Sequence, residues 1–420
     1  MTRSDVLIAG GGIAGAAAAI FLGRAGLRVT LFEARELGRD KPCGEGLMPS
    51  GVEVLDRLGL LTAVRGAPFF GVRYHVRGYS AQAHFPSIAG RRAFGLGQRR
   101  VLLDRALLEA AASTRGVSTH VGARVQDVLR ERNRVVGLLV GDREYRAPLT
   151  IGADGGSSTI RARLGLSPRR IGGRLGVVTH FRLGAREETR PWVEVFVGDG
   201  HEFYVTPLPD RRLLVACLMP AAYAGGLRRA SRLFHEQLRA HAPLVTRLAG
   251  ATQTTPFMAR APLAVRARSG WRPGALLLGD AAESFDPITG GGMAQALVCC
   301  EALAPYALSA IEHGDGWLRR FDRARRAQAR DHRLLTSWVL ALADRPSLAR
   351  PLLGFFAGHP RLFSHLVGVA AGTRRLFGDA LEACEPEQLG EGAGEYEQDR
   401  DEGGLLPAPH VVDGIAPHDH

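Results

Sequence analysis

At 420 residues, with 45% of them hydrophobic, the chain can bury a large core and is long enough for two folded units. Its formal net charge of +12 hides an asymmetry: from Glu382 onward there are 11 acids against one base, leaving 53 basic and 31 acidic groups in residues 1–381. Lys41 is the only lysine, and the arginines are scattered without a dense basic block. That pattern argues against a nucleic-acid partner and leaves anionic lipid or an acidic substrate as functional readings of the excess. The five cysteines (43, 217, 299, 300 and 384) form no C-x-x-C pair and no even framework, so neither a zinc site nor a disulfide scaffold is indicated, no metal is expected, and a reducing cytoplasm is the default.

The chain opens with an apolar strand (Val6–Ala9), a glycine turn, an alanine-rich helix and a second strand (Arg28–Phe32) closed by Glu33. Gly10, Gly12 and Gly15 occupy the positions of G-x-G-x-x-G: the first for a tight turn, the second for close approach of a pyrophosphate, the third for helix–strand packing. The N–H groups that start the helix, at Ile13 and Ala14, face the diphosphate with the positive end of the helix dipole behind them. Glu33, followed by Ala34, lies 18 residues past Gly15, where a carboxylate accepts hydrogen bonds from a ribose. Val6–Leu22 is also apolar enough to suggest a signal peptide. Its three consecutive glycines, the preceding Asp5 and the lack of a basic n-region argue against that.

A loop then leads to a helix over about 51–60, and loosely alternating residues 69–96 predict strands leaving the first unit. A helical pattern returns at Gln98–Ala112, followed by short β runs with a hairpin turning at Glu131–Asn133 and a buried strand at Leu149–Asp154. From Ser167 to Pro262 the pattern is an antiparallel sheet, with a turn at Pro209–Arg212 and a helix near Arg228–His241. Gly274–Asp280 restores the strand-plus-glycine pattern, and one helix is predicted over Gly292–Ile311. His332–Phe377 is apolar, helical and basic, with breaks predicted at Pro346, Pro351 and Pro360, and the acidic, Gly/Pro-rich residues 385–420 predict disorder. The expected organisation is a discontinuous nucleotide-binding unit (1–68, 98–166 and 263–345), a substrate domain inserted as 69–97 and 167–262, and a helical cap over 346–384.

Three further stretches resemble a known family. GADGGSSTIRARLG (Gly152–Gly165) and GDAAESFDPITGGGMAQAL (Gly279–Leu297) resemble the two later fingerprints of FAD enzymes of the para-hydroxybenzoate hydroxylase superfamily, and RRVLLDRAL (Arg99–Leu107) is similar to its R-x-x-L-D helix. The resemblance implies an α/β fold: a Rossmann-like FAD-binding domain of that type with an inserted antiparallel β-sheet substrate domain and a helical C-terminal region. It implies FAD as the bound cofactor, with NAD(P)H as a transient reductant. By the same resemblance Asp280 accepts from the ribityl chain, and Arg100 meets the diphosphate or the ribityl chain. The loop Pro287 to Gly292 (with Gly290 and Gly291) lies against the flavin ring, and Met293 starts the helix aimed at it. Val125, Asp154 and Gly279 complete the expected cofactor contacts.

Within the superfamily, Lys41-Pro42-Cys43-Gly44-Glu45-Gly46-Leu47 looks like the cysteine loop of geranylgeranyl reductases, which implies a place near the flavin and the substrate mouth. Cys43 there is either a redox or acid group or a small, soft wall. Lys41 hints that a compact ammonium is wanted. Tyr204, in the aromatic–proline segment Phe203–Pro207, is a candidate proton donor, as are His75, His84 and His180, although core or surface placement is the simpler reading of each. Trp192 follows a proline but lacks the W-x-W-x-I-P of flavin halogenases. The expected function is an FAD-dependent, NAD(P)H-using monooxygenase that hydroxylates a hydrophobic or aromatic small molecule. The alternatives are a geranylgeranyl-reductase-like enzyme that reduces C=C bonds of a polyprenyl or lipid substrate and a non-catalytic lipid- or prenyl-binding module. For His332–Phe377 the readings are a helical lid or a peripheral membrane contact.

Overall fold

The computed structural model describes residues 3–377 apart from 37–39, 77, 171–172, 186, 188, 224 and 344. The expected disorder of 385–420 lies outside the described residues, as does the end of the cap. Four short runs of β-branched and leucine residues, Val6–Ala9, Val29–Glu33, Val117–Val121 and Leu149–Gly152, make one parallel sheet with Ala275–Leu277, which lies beside Leu149–Gly152. Trp271–Arg272 adds an antiparallel edge. Val6 aligns with both Val29 and Leu149, so the first strand lies mid-sheet and ends at the fingerprint glycines.

The helix Ile13–Arg24 follows that turn. It packs against the helices Arg100–Ser113 and Gly292–Glu301 as well as the strands. Burial on several sides requires small side chains, and Ala16, Ala17, Ala18 and Ala19 are fully buried. This explains an alanine run that composition alone could assign to a membrane segment. Among the described residues no single helix is long and apolar enough to cross a membrane.

A second, larger sheet draws strands from two distant parts of the chain. Its order runs Thr252–Gln253, Arg174–Arg182, Arg212–Pro220, Glu202–Leu208, Val193–Val197, Gly71–Val76 and Tyr79–His84, with Met258–Arg260 also beside Arg174–Arg182. All pairings are antiparallel except Val193–Val197 with Gly71–Val76. Asp210 and Arg211, both with positive φ, make the tight turn between Glu202–Leu208 and Arg212–Pro220. Gly95–Gly97 does not join this sheet: it pairs with Gly46–Leu47 and Ala67–Phe69. A Cβ on Gly97 would stand 1.8 Å from the Pro207 carbonyl oxygen, so this small sheet rests directly on the large one. The hairpin Val125–Glu131/Arg134–Val140 turns at Arg132 and Asn133.

Two helical expectations need correction. The helix predicted over Gly292–Ile311 is two helices, Gly292–Glu301 and Leu303–His313, bent by 47° at Ala302. Pro305 accounts for the break, because its ring and missing N–H disturb the carbonyl four residues earlier, that of Glu301. Conversely, Pro351 does not break the chain: it lies inside Pro346–Gly358. Pro346 and Pro360 each occupy a helix start, where proline's fixed φ is suited.

Candidate active site

The fingerprint turn is built around two close approaches. Gly10 has φ +104°, and a Cβ there would stand 2.5 Å from the Ala153 carbonyl oxygen; one on Gly15 would stand 1.8 Å from that of Gly10. No side chain caps the helix at Gly12, and a Cβ on Gly12 would find only Lys41 Nζ, 3.7 Å away. Ile13 and Ala14 therefore begin the helix beside an open surface. Glu33 ends the second strand and turns its carboxylate back to the loop, accepting from Gly11 N at 2.7 Å and Arg35 N at 3.0 Å, with Ala34 at the bend. Val125 buries its side chain in the cluster that holds Ala9 and Phe32, which leaves its backbone for any contact with a ligand.

The two later glycine-rich stretches are tied to each other. Asp154 accepts from Ser158 Oγ and from Ile160 N (3.1 Å), so its carboxylate orders the start of the helix Thr159–Arg163. Arg161 reaches from that helix to the carbonyls of Gly156 (2.5 Å) and Ala281 (2.9 Å). Gly279 (φ +52°) brings its backbone against Ala14, where a Cβ would lie 2.8 Å from the alanine's own. Asp280 follows, half exposed, accepting from Arg260 Nη1 at 3.3 Å.

Next comes a glycine ledge. Asp286 caps the turn Pro287–Thr289 by accepting from Ile288 N (3.1 Å), and Gly290 has φ +70°. Behind the ledge a Cβ on Gly290 would stand 2.8 Å from Met48 Cε, and one on Gly291 2.2 Å from His332 Cε1. A Cβ on Gly292 would meet nothing within 4 Å. The backbone is thus supported on one side and bare on the other, at a helix N-terminus with no side-chain cap. A planar ring that becomes anionic on reduction fits there, since the helix end favours negative charge.

The cysteine loop joins the two ends of this surface. Cys43 Sγ lies 3.7 Å from Met293 Sδ and accepts from Glu45 N at 3.4 Å. Lys41 Nζ pairs with Asp104 at 2.8 Å; Arg100 pairs with the same carboxylate through Nε (2.9 Å) and Nη2 (3.1 Å). Arg100, expected to meet the diphosphate or the ribityl chain, gives these two nitrogens to a neighbour one helical turn away. The loop thus brings Cys43 to Met293 and Lys41 to Asp104, with Lys41 Nζ beside Gly12. Tyr204 stands apart as a strut: its hydroxyl donates to the Ile288 carbonyl at 3.2 Å, and burial, followed by Glu202, pushes its pKa well up. His75 and His84 are engaged elsewhere, by Glu194 (3.3 Å) and by Trp192.

Sequence reasoning missed four groups. Glu45, at φ +54° and 1% exposed, accepts from Arg100 N (2.8 Å) and lies 2.8 Å from His180 Nε2. His180 Nδ1 is 2.8 Å from Thr255 Oγ1. This buried pair fastens the cysteine loop to the large sheet. Arg174 does the same for the ledge, bridging Glu202 (2.6 Å) and Asp286 (3.2 Å). Burial raises both acids' pKa against the pull of Arg174. His332, held near pKa 4 by burial, backs Gly291 and sits 3.2 Å from Thr289 Oγ1. Arg161, above, is the fourth. Each partner is far away in sequence, and only Glu45, alone between two glycines, stood out locally.

A parallel sheet with a bare glycine turn and acid at one end, and a glycine ledge at a helix N-terminus at the other, defines a dinucleotide-binding oxidoreductase of the flavoprotein type. A known family carries the same build: residues 3–330 match the FAD binding domain, and the chain belongs to that family of FAD-dependent oxidoreductases and monooxygenases. FAD is its cofactor, and NAD(P)H is the reductant typical of the family. The chain is similar to 6-methylpretetramide 4-monooxygenase of Streptomyces rimosus, 30% identical over 83% of this chain and 88% of that protein. It is 31% identical to a menaquinone reductase of Mycolicibacterium smegmatis over 46% of this chain, spanning about half (47%) of the length of that relative. A geranylgeranyl bacteriochlorophyll reductase-like protein from Thermoplasma acidophilum shares the fold, with TM-score 0.71 and 21% identity over 88% of this chain and 95% of that one.

Proposed function

We propose that the protein is a monooxygenase that takes hydride from NAD(P)H and hydroxylates a hydrophobic or aromatic small molecule. When bound, FAD supplies hydride acceptance and oxygen activation. The chain's own residues bind, orient and exclude water. Gly10–Gly15 and Glu33 would hold the adenosine end, Asp280 the ribityl chain, and Gly290–Gly292 the ring.

The observation that carries the reading is the commitment of both candidate proton donors beside the ledge. Tyr204 is a neutral phenol, held to the Ile288 carbonyl by a hydrogen bond and kept protonated by burial. Cys43 Sγ accepts from Glu45 N and also meets Met293 Sδ and the Arg100 guanidinium, so the thiol is engaged within its own loop. Hydroxylation asks for a shaped, dry wall, whereas alkene reduction needs a proton delivered to carbon. The likeness to a monooxygenase along most of both chains supports the same choice.

The competing reading, reduction of C=C bonds in a polyprenyl substrate, is favoured by Cys43 itself and by the likeness to a digeranylgeranylglycerophospholipid reductase of Methanopyrus kandleri. Reaction of the FAD-loaded enzyme with NADPH and panels of phenolics, quinones and polyprenyl compounds under ¹⁸O₂ decides between them. Labelled hydroxylated product is the expected result; saturated product formed equally well without oxygen refutes the proposal.

Access for such a substrate is proposed at the C-terminal helices, from a cytoplasmic enzyme peripheral to the membrane. Trp338, Leu348, Phe355, Leu362 and Phe377 are exposed there. Residues 332–377 carry six arginines and one acid, a composition that suits an anionic lipid surface.

A further inference from the structure

A cavity of about 420 Å³ shares none of its lining with Gly10–Gly15, Asp280 or Gly290–Gly292. One wall is a face of the helix Arg100–Ser113 with the residue before it, presenting Arg99, Leu102 and Arg105 at helical spacing. The hairpin end of the large sheet supplies Leu208 and Arg212, and the segment after the helix Pro49–Arg57 supplies Arg65.

Four guanidinium groups from three separate parts of the chain therefore line one space, against two acids, Glu109 and Asp210. Arg105 is neutralised by Glu109 (2.7 Å), and Arg99 pairs with Asp40. Arg65 and Arg212 have no acidic partner among the described residues. The Nε atoms of Arg99 and Arg212 are buried without a hydrogen-bond partner. A buried donor left without a partner is costly, and arginine is the side chain suited to bidentate phosphate recognition. Leu102, 51% exposed, adds an apolar surface on which a flat ring can rest. A volume of this size lies in the range of small-molecule sites.

The cavity also connects to the cysteine loop through hydrogen bonds. Gln98, in its wall, donates its N–H to the Glu45 carbonyl at 2.9 Å, and Arg100 N holds the Glu45 carboxylate. The segment Gln98–Arg100 thus stands between the arginine cavity and the cysteine loop.

We propose that this cavity takes an adenosine phosphate, the adenylate end of the nicotinamide reductant. The inference rests on the reading of the protein as an NAD(P)H-using enzyme. Calorimetric titration of the FAD-loaded protein with 2′,5′-ADP, 5′-ADP and inorganic phosphate tests it without requiring turnover. The expected result is saturable binding of an adenosine phosphate, weakened at least about tenfold (~1.4 kcal/mol) in R65E/R212E, with FAD content and melting temperature unchanged. If R212E compromises folding, R65E/R105E on the exposed rim is expected to weaken binding in the same direction. Preference for 2′,5′-ADP assigns the site to the 2′-phosphate of NADPH; equal binding of 5′-ADP assigns it to a phosphate ester that NADH also carries. No nucleotide binding, binding unaltered in both variants, or inorganic phosphate binding as tightly as either nucleotide overturns the proposal. Arginine-dependent binding in an enzyme that NAD(P)H cannot reduce would keep the site and discard the function, so the two failures are distinguishable.

Discussion

Gly291 and Gly292 are neighbours with opposite surroundings, and a methyl group added to each should fail in opposite ways. At Gly292 an added Cβ meets no protein atom within 4 Å. The residue begins a helix with no positive φ, so Gly292→Ala should stabilise the apoprotein by about 0.4–1 kcal/mol through a less flexible unfolded chain. The same methyl would project from the bare side of the ledge into space assigned to the flavin ring. Overpacking costs roughly 1–3 kcal/mol, which is about a 5- to 150-fold loss of FAD affinity. At Gly291 the added Cβ would stand 2.2 Å from His332 Cε1, so Gly291→Ala must displace the imidazole from Thr289 and should destabilise the apoprotein itself by about 1–3 kcal/mol. Denaturant unfolding of both apoproteins, with FAD binding followed by flavin fluorescence quenching, measures the two effects separately. If Gly292→Ala binds FAD as tightly as the parent, the ring does not lie on the ledge and the placement of the site is wrong.

Glu45→Ala should destabilise the protein by about 1–3 kcal/mol, because it removes the buried carboxylate that meets both His180 Nε2 and Arg100 N, while Glu45→Gln, which still accepts from Arg100 N, should cost less; urea unfolding compares them. His332 is held near pKa 4 when folded against 6.5 ordinarily, so it stays neutral when folded and its unfolded form takes up a proton first. Its contribution is fully present above about pH 6.5 and is lost as the pH falls towards 4, by roughly 3 kcal/mol in all. His332→Gln should flatten the stability–pH curve in that window, leaving the part due to His241, which burial also lowers to about 4. Tyr204→Phe leaves the Ile288 carbonyl without its phenolic donor and should weaken FAD retention while leaving the fold intact, as judged by circular dichroism and flavin content after gel filtration. Vesicles containing anionic lipid should co-float the protein in a salt-sensitive way, and Phe355→Ser with Trp338→Ser should abolish flotation; recovery of the parent protein only in the soluble fraction would end the membrane proposal.

Legibility in the sequence followed the range of the interaction. Gly10, Gly12, Gly15 and Glu33 could be read because turn, helix start and acid lie within one βαβ unit, where spacing fixes geometry. The hairpin at Arg132–Asn133 and the sheet strands were visible for the same reason. The single helix expected over Gly292–Ile311 failed on a local rule applied too loosely, since Pro305 is itself a stop signal for the turn before it. Pro351 failed the other way. Its proline was read as a break, yet Leu353 is buried two residues on and the helix continues past it. Tertiary packing there outweighs a local penalty of about 3 kcal/mol.

What could not be read is the set of long-range polar contacts that holds the two sheets to the cofactor surface. Glu45 finds His180 across 135 residues, and Arg174 finds Asp286 across 112. In a chain whose cations are almost all arginine, no sequence pattern marks Arg174 as the one held between two buried acids and Arg105 as an exposed one. The physical consequence is specific. A hydrophobic contact between sheet and ledge would tolerate sliding, whereas a carboxylate–guanidinium–carboxylate bridge buried from water is expensive to break by removing one member. Arg174 therefore fixes the distance between the strand that carries Tyr204 and the turn that carries Gly290. His180 fixes the cysteine loop against the same sheet. Both fasteners tie the ledge and the cysteine loop to the large sheet, one through a guanidinium between two buried acids and one through a buried carboxylate–imidazole contact. Variation among relatives in what they oxidise or reduce can then arise from the apolar residues between those fixed points, with the nucleotide cradle unchanged.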